Sequence, residues 1–488
     1  MTRVALSLVS HTNVGKTTLA RTLLGREIGE VRDAPHVTEF AEAHSLIETP
    51  EGDQLTLWDT PGFGDSVRLA RRMKQRANPL GWFLSEVWDR WRDRPLWASQ
   101  QALRHVRDDS DVLLYLVNAA EQPAAAGYVA SEMEILAWVG KPVLVLLNQL
   151  GAPRAAADEA ADVEAWRTHL ARWPLVKAVL PMDAFARCWV QELALLHAVQ
   201  GVLDGEQHAA MVRLAAAWSA RRLATFNAAM QALAESLGRV GAAREGVAPS
   251  RSLAERLRRF GAAVGLPRAD DDPAALAQQA LAAALDDELR ANTTQLIELH
   301  GLEGRAQGEI LLRLADQFAR HERVPEGRAA IVGGAITGAL TGLKADLVSG
   351  GLTLGGGLLA GGLLGALGAA GLARGINVVR GTGQSWVAWN AEAMRPLLEG
   401  ALLRYLAVAH FGRGRGEWVQ GEAPPHWREV VSAATAPHAT ALAALWNSRS
   451  AKFENAGEAA RLALELQPLL AAAARSALQR LYPGAWRE

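Results

Sequence analysis

The sequence has almost no cysteine, since Cys188 is the single one among its 488 residues. One cysteine excludes both an intramolecular disulfide and a metal cage of thiolates, which favours a protein of a reducing compartment. The N-terminal stretch MTRVALSLVS also lacks the long apolar core and the cleavage pattern of a secretory signal. We therefore expect a cytoplasmic location, with a first β-strand at the N-terminus.

The chain also lacks an excess of either charge, because 51 lysines and arginines nearly cancel 52 aspartates and glutamates. A balanced surface produces no overall field that attracts nucleic acid, so we do not expect nucleic acid among the partners. The 12 histidines are scattered and no HExxH pattern occurs. A metal site built from histidine or cysteine is therefore not predicted.

Strand-like runs disappear near residue 190. The earlier part contains six short apolar or β-branched runs, at residues 3–9, 43–49, 54–58, 111–117, 142–148 and 176–181. Their alternation with helical stretches is typical of an α/β fold with a mainly parallel sheet. Beyond residue 190 the composition has helical periodicity and no further strands are expected. The sequence predicts an α/β domain over 1–188 and a mainly α-helical domain over 189–488.

The stretch SHTNVGKTTL, at residues 10–19, lacks the first glycine of the phosphate-binding pattern GxxxxGK[ST], because Ser10 takes that place. It nevertheless follows a predicted strand and opens a predicted helix. That arrangement points backbone N–H groups and a helix N-terminus at phosphates, while a lysine adds positive charge. The predicted nucleotide-binding residues of this loop are Asn13, Val14, Gly15, Lys16, Thr17 and Thr18.

A second motif, DTPGFGD, begins at the end of the run at 54–58. Its Asp59 is placed to hold Mg²⁺, and Gly62 can offer its N–H group to a γ-phosphate. Between the two motifs, Thr38 in PHVTEF is a candidate switch threonine, with an ordinary loop role as the alternative. The predicted Mg²⁺ ligands are thus Thr17, Thr38 and Asp59.

The residues HTNVGKTTL, Thr38 and DTPGFGD resemble the motifs of the GTPases of the TrmE, Era, EngA and septin superfamily. The glycine-rich helical C-terminal part resembles domain of unknown function family 3482. The first resemblance implies a P-loop GTPase domain that binds GTP and GDP with Mg²⁺. The second implies a fold without an established activity.

The base-reading motif of such GTPases, [NT]KxD, is incomplete here. Asn148 matches it, but Gln149 replaces the lysine and Gly151 stands where the aspartate belongs. Asp183, in LPMDAF, is the candidate for a second base-contacting loop, and the alternative is a helix N-cap. Selectivity for guanine over adenine is therefore open, and an ATP-specific relative remains an alternative.

The chain also lacks the glutamine that orients the attacking water in many small GTPases, because Phe63 follows the DxxG motif. The resemblance then implies slow hydrolysis that depends on a partner, a second protomer or a monovalent cation such as K⁺. Asn13 matches the asparagine that ligates such a cation, although it can equally shape the loop. The function predicted is a slow GTPase switch with no assigned catalytic residue. A homodimer and a P-loop scaffold without turnover stay open.

Charged residues are scarce in the segment 331–375, which holds 15 of the 45 glycines. Two apolar arms, 329–343 and 347–373, predict a helical hairpin over 329–375. Glycines four residues apart let helix backbones approach closely in membranes, and a spanning helix needs about 20 apolar residues. We predict association with lipid or a membrane protein, peripheral or integral at the inner membrane. The alternative is a hairpin buried in the helical domain.

Overall fold

The fold is that of a computed structural model of the whole chain. The residues that the structure describes are 1–12, 14–25, 42–60, 62–63, 66, 103, 106–150, 156–184, 188–247, 273–302, 376–379, 385–410, 426–450 and 457–484. Elements are numbered along these residues alone.

A six-stranded sheet forms the N-terminal part, in the spatial order β2-β3-β1-β4-β5-β6. Its strands are β1 Arg3–Ser10, β2 Glu42–Glu48, β3 Gln54–Asp59, β4 Val112–Asn118, β5 Val143–Asn148 and β6 Val176–Pro181. All neighbours pair in parallel except β2, which runs antiparallel to β3 at the edge. The six predicted strands and the mainly parallel sheet are thereby confirmed.

The sheet forms because its central strands are apolar along their whole length. Every residue of β5 is buried, as are the first six of the seven residues of β4. Continuous burial is typical of parallel strands that have both faces covered. The helices of this part are α1 Lys16–Leu24, α2 Tyr128–Val139, α3 Ala156–Leu170 and α4 Trp189–Gln200.

The C-terminal part is mostly helical, as predicted. Its described helices are α5 Gly205–Ala242, α6 Pro273–Leu299, α7 Ala391–Ala409, α8 His426–Thr435, α9 Ala439–Asn447 and α10 Glu458–Leu481. Helices α5 and α10 approach closely at Gly238, where an added Cβ would lie 2.4 Å from the carbonyl oxygen of Ala459. The rings of Phe226 and Tyr405 pack edge to face 5.8 Å apart.

The expectation of no strands beyond residue 190 is wrong. Three short strands form an antiparallel sheet in the order β7-β9-β8: β7 Glu245–Val247, β8 Ile376–Val379 and β9 Ser385–Trp389. Strands of three to five residues are too short to display a period of two, and the two outer strands lie far apart in sequence. Local periodicity therefore gave no signal for them.

Two compact units divide the chain. The first contains Met1–Ala224, Ala409–Pro424 and Gln479–Glu488, and the second contains Thr225–Val408 and Pro425–Leu478. Both units thus combine segments that are distant in sequence. The domain boundary between residues 188 and 189 stays a prediction.

Three sequence predictions fall outside the described residues: Asn13, Thr38 and the glycine-rich hairpin at 329–375. Among the residues that the structure describes, no helix is both long and apolar enough to span a bilayer.

Candidate nucleotide site

The first motif forms a loop between β1 and α1. Ser10 is the last residue of β1, and Lys16 is the first residue of α1. Strands β3 and β4 flank β1 in parallel, so the loop lies at the edge where the carboxyl ends of these strands meet. In open α/β sheets this edge is where ligands bind.

Gly15 is required at its position for two reasons. Its φ of 91° and ψ of 32° lie in the left-handed region, which glycine adopts at little cost. In addition, a Cβ at this position would lie 2.8 Å from the side-chain nitrogen of Asn148. The loop therefore enters α1 at a position that glycine occupies without backbone strain. There is no room for a side chain at this position.

Ser10 stands where the phosphate-binding pattern has its first glycine, and its hydroxyl group forms two specific hydrogen bonds. Its Oγ accepts a hydrogen bond from Lys16 Nζ at 3.1 Å and donates to the carbonyl oxygen of His11 at 2.5 Å. Ser10 is fully buried, and Lys16 is only 8% exposed. The serine hydroxyl thus holds the lysine ammonium within the loop.

The charge on Lys16 is sensitive to its surroundings. Burial lowers the pKa of this ammonium, while the negative charges of Asp59 and Glu132 act in the opposite direction. A phosphate beside Lys16 would add negative charge and favour the protonated form further. The site is thus suited to an anionic ligand.

The structure brings Thr17 and Asp59, two of the predicted Mg²⁺ ligands, together. The Thr17 hydroxyl lies 2.5 Å from Oδ2 of Asp59, which is the buried last residue of β3. Hydroxyl and carboxylate oxygens are the hard ligands that Mg²⁺ prefers. The donor set therefore fits a magnesium ion, and these two side chains would hold it.

Gly62 of the second motif lies against the phosphate loop. An added Cβ on Gly62 would lie 3.2 Å from Lys16 Nζ and 3.2 Å from Thr12 Cα. The next residue, Phe63, donates its backbone N–H to the Ser10 carbonyl at 3.1 Å. Its ring is 1% exposed in the core cluster of the sheet. Phe63 therefore anchors this part of the motif through its buried ring, and the ring does not face the phosphate loop.

Asn148 joins the phosphate loop to the loop after β6. Its Nδ2 donates to the Val14 carbonyl at 2.7 Å, and its Oδ1 accepts the Ala184 N–H at 2.9 Å. Thr22 of α1 donates to the Ala184 carbonyl at 2.9 Å. The side chain of Asn148 is thus engaged in holding three segments together.

Asp183 lies next to this junction. Its Oδ2 accepts the backbone N–H of Leu150 at 2.8 Å, and the residue is 5% exposed. Helix α4 has Cys188 as its N-cap, so Asp183 does not cap it. The carboxylate instead joins the loop after β5 to the loop after β6, and this pairing was not foreseen from the sequence.

His11, Tyr115 and Glu132 form a network that the sequence did not reveal. Glu132 is fully buried on α2 and bonds to His11 Nδ1 at 2.9 Å and to the Tyr115 hydroxyl at 2.7 Å. A glutamate on a helix ordinarily indicates a solvated face. The role of Glu132 is visible only in the structure, where the segments that carry His11, Tyr115 and Glu132 meet.

Fold and site together define a P-loop GTPase-type domain at the N-terminus. Residues 5–149 match the family described as "50S ribosome-binding GTPase", and residues 167–480 match the one described as "Domain of unknown function (DUF3482)". Because the second match spans more than half of the sequence, the chain belongs to that family of unknown function. Both resemblances expected from the sequence are confirmed.

The curated relatives are GTPases named Der and Era. "GTPase Der" of Myxococcus xanthus is 29% identical over 163 residues, which are 32% of this chain and 28% of the relative. "GTPase Era" of Geotalea uraniireducens is 28% identical over 191 residues, which are 38% of this chain and 52% of the relative. The chain therefore spans from about a quarter to about half of the relatives it matches.

Similar solved structures include Era of Aquifex aeolicus bound to GDP and AlF₄⁻, at 18% identity. That match covers 42% of this chain and 58% of the other, with a TM-score of 0.31. Another Era structure, also 18% identical with a TM-score of 0.32, contains MgGDPNP and a segment of 16S ribosomal RNA. The expectation that nucleic acid is not a partner stays a prediction.

Proposed function

We propose that this chain binds GTP and GDP with Mg²⁺ and uses the nucleotide state as a switch on its helical part. The observation that carries the proposal is the convergence of four predicted residues. Lys16 and Thr17 open α1, Asp59 bonds to Thr17, and Gly62 lies against Lys16. This convergence supports a phosphate site and a metal site that adjoin each other.

Each residue has a distinct role in the proposal. Lys16 supplies a positive charge, and the backbone N–H groups of the loop, including those of Val14, Gly15 and Thr18, surround the phosphates. Thr17 and Asp59 hold Mg²⁺, with Thr38 as a third ligand when triphosphate is bound. Bound Mg²⁺ neutralises charge on the β- and γ-phosphate oxygens. Gly62 donates its N–H to the γ-phosphate and so reports its presence.

Slow hydrolysis follows from the position of Phe63. Its ring is buried in the sheet core, and it carries no group that could orient a water molecule. Turnover then depends on a group from outside this motif, such as K⁺ held by Asn13 or a residue of a second protomer. The enzyme class we propose is a slow nucleoside triphosphate hydrolase.

Guanine selectivity is assigned to Asp183 together with Asn148. The segments that carry the two side chains are joined by two hydrogen bonds. Asp183 accepts one from the N–H of Leu150, and Asn148 accepts the other from the N–H of Ala184. A buried carboxylate at this junction can accept hydrogen bonds from the N–H groups of guanine, which adenine does not offer in the same place. It would replace the carboxylate that Gly151 lacks.

Calorimetric titration with GTP, GDP and ATP, with and without Mg²⁺, tests the proposal. The switch predicts binding of GTP and GDP, tighter with Mg²⁺, and weak binding of ATP. Preferential binding of ATP would support the ATP-specific relative instead. Tight binding without measurable turnover in K⁺ would support the scaffold. No binding of any nucleotide would contradict the proposal.

Two substitutions of Asp183 separate base recognition from loop support. Asp183→Asn keeps an oxygen that can accept the Leu150 N–H but removes the charge. Asp183→Ala removes both. If the carboxylate reads guanine, both variants lose the preference for GTP over ATP. If only Asp183→Ala weakens binding, and does so equally for both nucleotides, the residue supports the loop alone.

Membrane association through 329–375 is proposed from the sequence alone. Cys188, the single cysteine, is fully buried, so a cysteine introduced by Leu354→Cys or Leu364→Cys can be labelled selectively. Lipid vesicles should protect these positions from a water-soluble thiol reagent. A folding control is the same labelling without vesicles. Equal labelling with and without vesicles, in the GTP and the GDP states, would contradict the proposal.

A further inference from the structure

A buried carboxylate links the phosphate loop to α2. Glu132 is 0% exposed, and its two oxygens bond to His11 Nδ1 at 2.9 Å and to the Tyr115 hydroxyl at 2.7 Å. The His11 ring also stacks on Tyr128, the first residue of α2, with ring centroids 4.7 Å apart and an angle of 23°. One residue of the loop is therefore fixed by a hydrogen bond and by a stacked ring.

The charge of this carboxylate needs a counterion. Burying an ionised carboxylate without a partner is costly. Within the part of the chain that the structure describes, Glu132 forms its ion pair with His11 and not with any lysine or arginine. Tyr115 and His11 can each donate one hydrogen bond to it, and only a protonated His11 also supplies positive charge.

The groups that face His11 determine its protonation. The hydrogen bond to Glu132 is the largest influence and raises the pKa of the imidazole. Burial and the charge of Lys16 lower it, whereas the charges of Glu132 and Glu121 raise it, and the net direction is upward from 6.5. Burial also raises the pKa of Tyr128 beyond any physiological pH, so its phenol stays neutral beneath the ring.

We propose that Glu132 is a positioning residue for the phosphate loop: it holds His11 as an imidazolium against α2, so that the loop is fixed and charge-balanced when phosphates bind. This inference rests on the proposed nucleotide function. When His11 loses its proton, the buried carboxylate loses its ion-pair partner and keeps only the electrostatic interaction with Lys16. That negative charge opposes the phosphates, and the hydrogen bond that fixes the loop weakens.

The direction of the pH effect follows from this arrangement. A pKa raised in the folded protein means that the ion pair contributes fully below about pH 6.5 and is lost as pH rises through the raised value. Bound phosphate adds negative charge near His11, so nucleotide and proton should favour each other's binding. Nucleotide affinity should therefore fall as pH rises through the raised pKa of His11.

Three variants isolate the charge of Glu132. Glu132→Gln keeps the size and one hydrogen-bond acceptor but removes the charge. His11→Gln removes the titrating group at a position whose side chain is 35% exposed, where misfolding is of less concern. Tyr115→Phe removes one hydrogen bond to the carboxylate and keeps its charge, so it is the matched control.

The first readout is the titration of the His11 ring by NMR in the nucleotide-free full chain, assigned as the signal missing from His11→Gln. We expect a pKa above 6.5 in the parent and in Tyr115→Phe, and a lower one in Glu132→Gln. A parent value at or below 6.5, or a value that Glu132→Gln leaves unchanged, would overturn the inference.

The second readout is GDP affinity at saturating Mg²⁺ between pH 6 and 8.5. The parent should lose on the order of fivefold more affinity over this range than Glu132→Gln or His11→Gln, because the variants share the titration of the phosphates but lack the ion pair. Equal pH profiles for all proteins would overturn the role in phosphate binding. If the parent binds no nucleotide, the proposed nucleotide function is wrong, and the role of Glu132 in phosphate binding is wrong as well. The NMR titration still decides whether Glu132 holds the imidazolium.

Discussion

Replacing Gly15 by alanine tests whether the phosphate loop has the geometry described. Alanine in the left-handed conformation of Gly15 costs about 1–2 kcal/mol. Its Cβ would also lie 2.8 Å from Asn148 Nδ2, so the Asn148 amide must move away from the Val14 carbonyl. Leaving such a buried group unsatisfied costs about 1–3 kcal/mol. The sum is about 2–5 kcal/mol.

Gly25→Ala is the matched control at the other end of α1. Gly25 is also left-handed, with φ 66°, but an added Cβ would have no neighbour within 4 Å. This variant should lose only the conformational part, about 1–2 kcal/mol. The difference between the two variants thus isolates the contact between Gly15 and Asn148.

The assay is thermal unfolding of the nucleotide-free protein, followed at the transition of the first compact unit. For the first unit, which has about 250 residues, 1 kcal/mol corresponds to roughly 2–4 °C. Gly15→Ala should therefore melt several degrees below Gly25→Ala, and it should also bind nucleotide more weakly. If the two variants melt together and bind nucleotide alike, the Asn148 contact is not what the structure describes.

Three further predictions concern the same loop. Ser10→Ala removes the hydroxyl that Lys16 Nζ contacts, so the nucleotide-free protein should lose about 1–3 kcal/mol of unfolding free energy, measured by denaturant titration. An unchanged midpoint would count against that contact. Asp59→Asn removes the carboxylate beside Thr17, so calorimetry should show nucleotide affinity that no longer responds to Mg²⁺. A full Mg²⁺ response would remove Asp59 from the metal site. Hydrolysis should be faster in K⁺ than in Na⁺, and Asn13→Ala should abolish the difference; equal rates in both cations would exclude this mechanism.

The fold of the first part was predictable because its signals are local. The strand β5 is a continuous apolar run bounded by polar residues, and the structure places it at Val143–Asn148, close to the predicted 142–148. The turn into α1 is signalled by Gly15 followed by Lys16. In both cases neighbouring residues in sequence determine the conformation.

The contacts that complete the site were not predictable, because they join distant residues. Ser10 departs from the usual pattern, and only the structure shows its hydroxyl on Lys16. Glu132 reaches His11 across 121 residues of sequence. Asn148 is predicted to contact nucleotide, and the structure shows its amide bonded to Val14 and Ala184.

The short sheet of the C-terminal part was missed for the same physical reason. Strand β7 pairs with β9, whose residues lie about 140 positions further along the chain. A three-residue strand has no periodicity of its own, and it exists only because its partner supplies hydrogen bonds. Composition correctly indicated helices around it and could not indicate the pairing.

Whether this loop holds the phosphates is tested by comparing GTP binding by Lys16→Ala and by Lys177→Ala in the full chain with Mg²⁺. Lys16 is buried in the phosphate loop, whereas Lys177 is exposed on β6. Removing a buried lysine from a phosphate costs about 2–5 kcal/mol, which is roughly 30- to 5,000-fold in affinity. We expect that loss for Lys16→Ala and parental binding for Lys177→Ala. Equal affinity in the two variants would contradict the assignment of this loop as the nucleotide site.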